Sequence, residues 1–316
     1  MFNFLKFRRA NINLRINSSP TTYTRVIERP GLWMTDDEKK SLLQDLKTVV
    51  ETMNIGDLDY GVLNGNPETL NQVVVTVIYD KKTKKPFAFN ALTVMNCVIR
   101  GKSETVVHLG LVVVDPNYRA KGLSWVLYGL TTFLLFFKNA FQPVWISNVT
   151  QVPSVLGNVA EGFDKVFPNP LLKTRRSYDH LVLAREIFQK HRSVFGVGVD
   201  AEFDEENFII KNSYTGGSDN LKKTFDQTSK HRNEVFNQFC QDHLDYGRGD
   251  DVIQLGQMNM KTYYRYMIHS IPADSILTII YKMLFTLVEV SLIPVVQWFT
   301  ADQQMGVLRP RLKKAK

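Results

Sequence analysis

Apolar positions in the first half of this chain fall into β-branched runs and then into a helical run. Val73 to Tyr79, Phe87 to Ile99 and Val106 to Val114 each read as a strand. Asp80-Lys81-Lys82-Thr83-Lys84-Lys85-Pro86 joins the first two, and the tight turn Arg100-Gly101-Lys102-Ser103 joins the next two, so the three form an antiparallel meander. Ahead of them, Thr35-Asp36-Asp37-Glu38 starts a helix with a capping residue and acids in its first turn. Leu42, Leu43, Leu46, Val49 and Val50 give that helix one buried face. The third strand runs into a short loop and then a long apolar helix that reaches Lys138.

Farther along, Pro143 to Val149 reads as a strand and Pro153 to Lys165 as a helix. A helix over Tyr178 to Phe195 is closed by Gly196. Val199 to Asn212 reads as a hairpin turning at Asp204-Glu205-Glu206-Asn207, and the Gly/Ser stretch Tyr214 to Asp219 as a linker. Beyond it comes a helix over Lys230 to His243. Thr278 to Thr300 is the most apolar run, interrupted by Lys282, Glu289, Pro294 and Gln297. Lys282 and Glu289 share one helical face. The run therefore reads as an amphipathic helix lying on lipid or on the domain, not as a span. The resulting division is a basic arm or targeting segment (1–30), a central domain (31–213) and a mainly helical C-terminal region (220–316).

Composition adds a sign. The 316 residues carry a net charge of +8, which favours a CoA-like cofactor, an anionic membrane surface or nucleic acid. No zinc-finger spacing, aromatic RNA-recognition motif or basic zipper is present, which removes nucleic acid. Cys97 and Cys240 are the only cysteines, too few for a disulfide framework, so a reducing compartment is expected. Met1 to Ile27 has no acidic residue but carries Lys6, Arg8, Arg9, Arg15 and Arg25. That pattern suits an organellar transit peptide, a disordered basic arm or a membrane-surface segment. The basic tail Arg309 to Lys316 also suits an anionic membrane. The expected location is cytoplasmic, with membrane-peripheral and mitochondrial alternatives.

Chemistry concentrates after the third strand. Arg119-Ala120-Lys121-Gly122-Leu123-Ser124 lies between a strand and a helix start. Unpaired N–H groups and the positive end of a helix dipole can hold a diphosphate there, and Gly122 lets backbone approach the ligand. This segment resembles the signature of the GNAT superfamily of acyl-CoA-dependent N-acyltransferases: Arg or Gln, two residues, Gly, one residue, then Gly or Ala. Ser124, a small residue but a departure, stands at the last position. The meander before the motif, the apolar helix after it, and a strand carrying Asn148 before another helix agree with the family over about residues 35–170.

The resemblance implies an α/β (α+β) fold with a mixed, mostly antiparallel sheet flanked by helices, here with a C-terminal helical extension. It implies acetyl-CoA or another acyl-CoA as co-substrate and a primary amine, on a small molecule or a protein, as acceptor. Val112, Val113 and Val114 would meet pantetheine. Arg119, Ala120, Lys121, Gly122, Leu123 and Ser124 would meet the pyrophosphate, and Asn148 would hydrogen-bond the pantetheine amides. His108, on the strand where several members carry a glutamate base, is the candidate general base, and Glu104 is its backup. Equally, His108 reads as a strand histidine satisfying a local hydrogen bond. The helix after Asn148 lacks the tyrosine acid that the family often supplies, which leaves Tyr128, Tyr178 or unassisted departure. A CoA-binding protein without catalysis and a membrane-peripheral interaction protein are the alternatives.

Other signals fall away. Gly101-Lys102-Ser103 resembles the end of a P-loop, but Asn96 stands where its first glycine belongs and a strand follows. His231, Cys240, His243 and Asp245 read as a partly buried helix face, without the second ligand pair of a zinc site. Lys81, Lys82, Lys84 and Lys85 read as a solvated hairpin tip, and no metal is expected.

Overall fold

The computed structural model describes residues 11–53, 61–119, 123, 125–216, 221–269, 292 and 295. In chain order its strands and α-helices are β1 (Asn13–Ile16), β2 (Thr22–Glu28), α1 (Asp36–Glu51), α2 (Pro67–Leu70), β3 (Val73–Asp80), β4 (Pro86–Ile99) and β5 (Lys102–Val114). A π-helical segment, Trp125–Leu130, continues as α3 (Thr131–Lys138). There follow β6 (Val144–Thr150), α4 (Pro153–Gly162), β7 (Asp164–Phe167), α5 (Tyr178–Glu186), β8 (Glu202–Asp204), β9 (Ile209–Lys211), α6 (Glu234–His243), β10 (Asp251–Met258) and α7 (Met260–His269). The strands form one ten-stranded sheet in the order β1-β2-β3-β4-β5-β6-β10-β9-β8, with β7 paired to β10. Every pairing is antiparallel except β5 with β6. This is the mixed, mostly antiparallel sheet flanked by helices that the sequence implied.

Alternation along β4 sorts the two faces. Ala88, Leu92 and Val94 enter a core shared with α3, α4 and α6. Phe89 and Ala91 pack with Leu42, Leu46 and Val49 of α1, while Met95, Cys97 and Ile99, on the same face, pack with Leu183 and Ala184 of α5. That face thus carries two separate clusters, and β5 runs from one to the other. α1 starts as its sequence dictates: Thr35 and Glu38 form a reciprocal capping box. Gly196, with φ +72°, ends the helical turns after α5.

Four stretches differ from the sequence reading. Residues 13–16 and 22–28 fall within the expected basic arm, yet they form the edge strand β1 and the strand β2 inside it. Buried Glu28 accepts from Lys138 Nζ at 2.6 Å and from the Ile12 amide at 2.9 Å, tying this segment to the end of α3. Residues 251–258, expected in a mainly helical region, form β10 against β6 at the sheet centre. The start of the expected linker is pinned to β10: Ser213 Oγ lies 2.5 Å from Asp251 Oδ2, and Tyr214 donates to Oδ1 at 3.1 Å. The helix expected over 178–195 is α-helical only to Glu186, then passes through π and 3-10 turns. The run 278–300 lies outside the described residues but for Leu292 and Val295. Among the described residues no helix is long and apolar enough to cross a membrane.

Candidate active site

The site is set by how β5 meets its two neighbours. Against β4, Ala91 faces Leu111 and Thr93 faces His108, so β4 advances two residues while β5 advances three. That extra residue is a β-bulge at Leu109-Gly110. Gly110 permits it, because a Cβ there would stand 2.6 Å from the Ala91 carbonyl oxygen. Against β6, β5 pairs only at Val106–Trp145, Val107–Ile146 and His108–Ser147. Past the bulge the two strands no longer pair, although β5 continues to Val114 and β6 to Thr150.

The opening has backbone on offer. Asp115 donates its amide to the Phe87 carbonyl of β4. By the two-residue alternation of an antiparallel ladder, Val113 also faces β4, and the N–H and C=O of Val112 and Val114 face away from it, towards the opening. Side chains agree with this placement. Val113 is buried with the α1 cluster, and Val112 and Val114 pack against the core on the opposite face. An extended ligand bearing amides could add to β5 here as a strand does.

His108 stands at the closed end of the opening, on the last paired rung. It is 2% exposed, its Nδ1 lies 3.1 Å from Ser147 Oγ, and the Phe195 ring sits 4.9 Å away, tilted by 31°. Burial pushes its pKa down to about 4, because the charged ring loses water and gains no counter-charge. The imidazole is therefore neutral over the physiological range. Both sequence readings of this residue meet here: it has a local hydrogen bond, and it occupies the position where the base was expected.

The other expected site residues divide. Glu104 lies four residues back towards the β4–β5 turn, roughly 13 Å along the strand, half-buried and away from His108. Arg119 lies across the end of β5, with Nε 3.4 Å from the Val114 carbonyl and Nη2 against Met53 Sδ. Leu123 packs into the core, and its carbonyl accepts from Val126 and Leu127 at the start of the π-helical segment. Ala120, Lys121, Gly122 and Ser124 lie outside the described residues.

Asn148, expected to hydrogen-bond pantetheine amides, is buried, and its Nδ2 donates to Gln254 Oε1 at 3.2 Å. Gln254 in turn donates to the carbonyls of Leu156 and Pro168. The candidate acid Tyr178 is 65% exposed and neighbours Arg100 in the β4–β5 turn, at the other end of β5 from the opening. Tyr128 belongs to the π-helical segment and is half-buried. Among the described residues no His/Cys/Asp/Glu group could hold a metal.

Two residues of this site escaped the sequence reading. Gly110 had a signal, since a glycine inside an apolar strand marks a bulge or a close backbone approach. Ser147 had none, because its meeting with His108 depends on strand pairing across 39 positions.

Neither a family model nor a curated protein matches the chain. Among solved structures, it is similar to an acetyltransferase of Trypanosoma brucei at 22% identity, covering 37% of this chain and 76% of that one, with a TM-score of 0.27. It is similar to the glucosamine-6-phosphate N-acetyltransferase of Arabidopsis thaliana at 16% identity, covering 36% and 74%, with a TM-score of 0.24. A third likeness, at 14% identity and a TM-score of 0.31, is to a probable N-acyltransferase of Enterococcus faecalis, covering 46% of this chain and 33% of that one.

Proposed function

We propose that this chain is an N-acyltransferase that moves an acetyl or other acyl group from acyl-CoA to a primary amine by direct attack. The observation that carries this reading is the stretch of β5 beyond the bulge that, among the described residues, pairs with β4 but not with β6, with the backbone groups of Val112 and Val114 facing the opening. The pantetheine arm carries amides spaced along an extended chain, and such a chain satisfies strand backbone that has lost its partner. The pyrophosphate falls to the loop Arg119 to Ser124 at the helix start. The guanidinium of Arg119, at the open end of β5, suits a phosphate. Asn148 gives one Nδ2–H to Gln254, so β6 is expected to contribute mainly through its backbone.

With the arm laid along β5, the thioester reaches the closed end, beside His108 and Ser147. The acceptor nitrogen attacks the thioester carbon, a C–N bond forms, the C–S bond breaks, and CoA leaves as thiolate. The amine loses a proton in the process. The second reading, a CoA binder without turnover, draws on the burial of His108: a ring with a pKa near 4 is a poor base for an amine.

Release of CoA thiol from acetyl-CoA, measured over a panel of amino sugars, polyamines and α-amines, tests the proposal. Gly122→Glu serves as the control, since its size and charge oppose a pyrophosphate at that loop. Turnover lost in the variant supports the transferase. Binding without turnover supports the binder, and folded protein that binds no acyl-CoA of any chain length overturns both.

A further inference from the structure

We infer that Ser147 is a positioning residue that holds His108 in its Nε2–H tautomer, so that His108 acts on the reaction as a hydrogen-bond donor and not as a base. This inference rests on the acyltransferase reading above and concerns the same site. A neutral imidazole carries one N–H and one bare nitrogen, and its partners decide which is which. The pair His108 Nδ1 and Ser147 Oγ, 3.1 Å apart, holds two protons, the ring's and the hydroxyl's, and the one bond between them takes one of these.

The two arrangements differ in which proton is stranded. If Nδ1–H donates to Ser147, the hydroxyl proton is left over. Ser147 is 0% exposed, and the ring is the sole partner of its hydroxyl among the described residues, so that proton is enclosed with nothing to meet. A buried donor left unmade is the costly case. If Ser147 donates to Nδ1, the leftover proton sits on Nε2. His108 keeps 2% exposure, where Ser147 has none, so its N–H is the less enclosed of the two donors. The second arrangement puts the unsatisfied donor on the residue that stands at the closed end of the opening, where a ligand oxygen can accept it.

A neutral ring suits this role. Donation to a thioester carbonyl needs an N–H and no charge, and a lowered pKa keeps the donor neutral where an ordinary histidine would begin to titrate. The group that receives the Nε2–H is the thioester carbonyl oxygen, whose negative charge grows as the amine attacks. His108 neither takes nor gives a proton; the amine's proton passes to water.

Imidazole nitrogen NMR of ¹⁵N-histidine-labelled wild-type protein at neutral pH tests the tautomer directly. The inference expects the proton on Nε2 of His108, and a proton on Nδ1 overturns it whether or not the protein turns over. Kinetics test the role. His108→Gln keeps an N–H near the Nε2 position but cannot accept a proton. It is expected to stay within about tenfold of wild-type kcat, while His108→Ala falls by about 100-fold, the scale of losing one oxyanion donor. Ser147→Ala lowers kcat while KM for acetyl-CoA holds, shifts the tautomer signal, and is rescued on both counts by Ser147→Thr. If wild type turns over and folded His108→Gln is as inactive as His108→Ala, this inference fails while the acyltransferase reading stands. If wild type fails to bind acetyl-CoA, that reading fails, and the tautomer measurement still decides the assignment of Ser147.

Discussion

Replacing Asp251 with asparagine should stabilise the protein far more at pH 8 than at pH 5. Asp251 opens β10 and is fully buried, with Ser213 Oγ and Tyr214 OH as partners of its two oxygens. Burial is the dominant cause that raises its pKa from 3.8 to about 7, against the two hydrogen bonds, which lower it. Between those values the unfolded chain has lost the proton and the folded chain keeps it, so stability falls as pH rises through this window. Three units at 1.36 kcal/mol each give roughly 4 kcal/mol over the whole window, of which roughly 3 kcal/mol falls between pH 5 and pH 8. Asparagine reproduces the protonated pattern, Nδ2 donating to Ser213 while Oδ1 accepts from Tyr214, and it has no charge to bury.

Urea unfolding of wild type and Asp251→Asn at both pH values gives the test. His108 and His180 have lowered pKa values through burial. Their contributions therefore grow as pH rises, opposite in sign to that of Asp251. They are present in both proteins and cancel in the difference. An advantage of the variant that grows by roughly 3 kcal/mol from pH 5 to pH 8 is the expected result. A difference independent of pH, or a variant less stable at pH 8, refutes the reasoning.

Two further outcomes concern the supports of the site. A Cβ on Gly129 of the π-helical segment would stand 1.8 Å from the Tyr266 ring, so Gly129→Ala should destabilise by about 1–3 kcal/mol, as overpacking does; thermal unfolding should show Tyr266→Ala relieving most of that cost in the double variant. Lys138→Met leaves Glu28 buried without its cation and should cost about 3–5 kcal/mol, read as a lower denaturant midpoint that Glu28→Gln partly restores.

How far the sequence carried the fold follows from where polar residues sit. The meander was legible because β3 is β-branched almost throughout and β4 and β5 are apolar runs bounded by turn residues, and α1 because Thr35 and Glu38 stand at capping distance. β10 was not legible. Its run Asp251 to Met258 contains Gln254, a polar residue at the sheet centre that is tolerated only because Asn148, Leu156 and Pro168 meet its amide. β1 and β2 were hidden by their arginines: Arg15 lies over the Tyr23 ring at 4.0 Å, so an edge strand reads as a basic arm. Within the candidate site, the strand that carries His108 and Val112 to Val114 was legible from its place before the loop. The Ser147 contact and the engagement of Asn148 were not, since both arise from pairings between strands far apart in the chain.

The central claim is that acyl-CoA adds to β5 along its unpaired edge, and calorimetric titration of acetyl-CoA into wild type and Val112→Pro tests it most directly. Proline at 112 removes an N–H that faces the opening and leaves the bonds of Val113 and Asp115 to β4 in place, a substitution that strand edges accept. The account predicts saturable binding to wild type and roughly tenfold weaker binding to the variant, the scale of one lost hydrogen bond, with Asn148→Ala far less affected. Equal affinity for wild type and Val112→Pro, both folded, would contradict it.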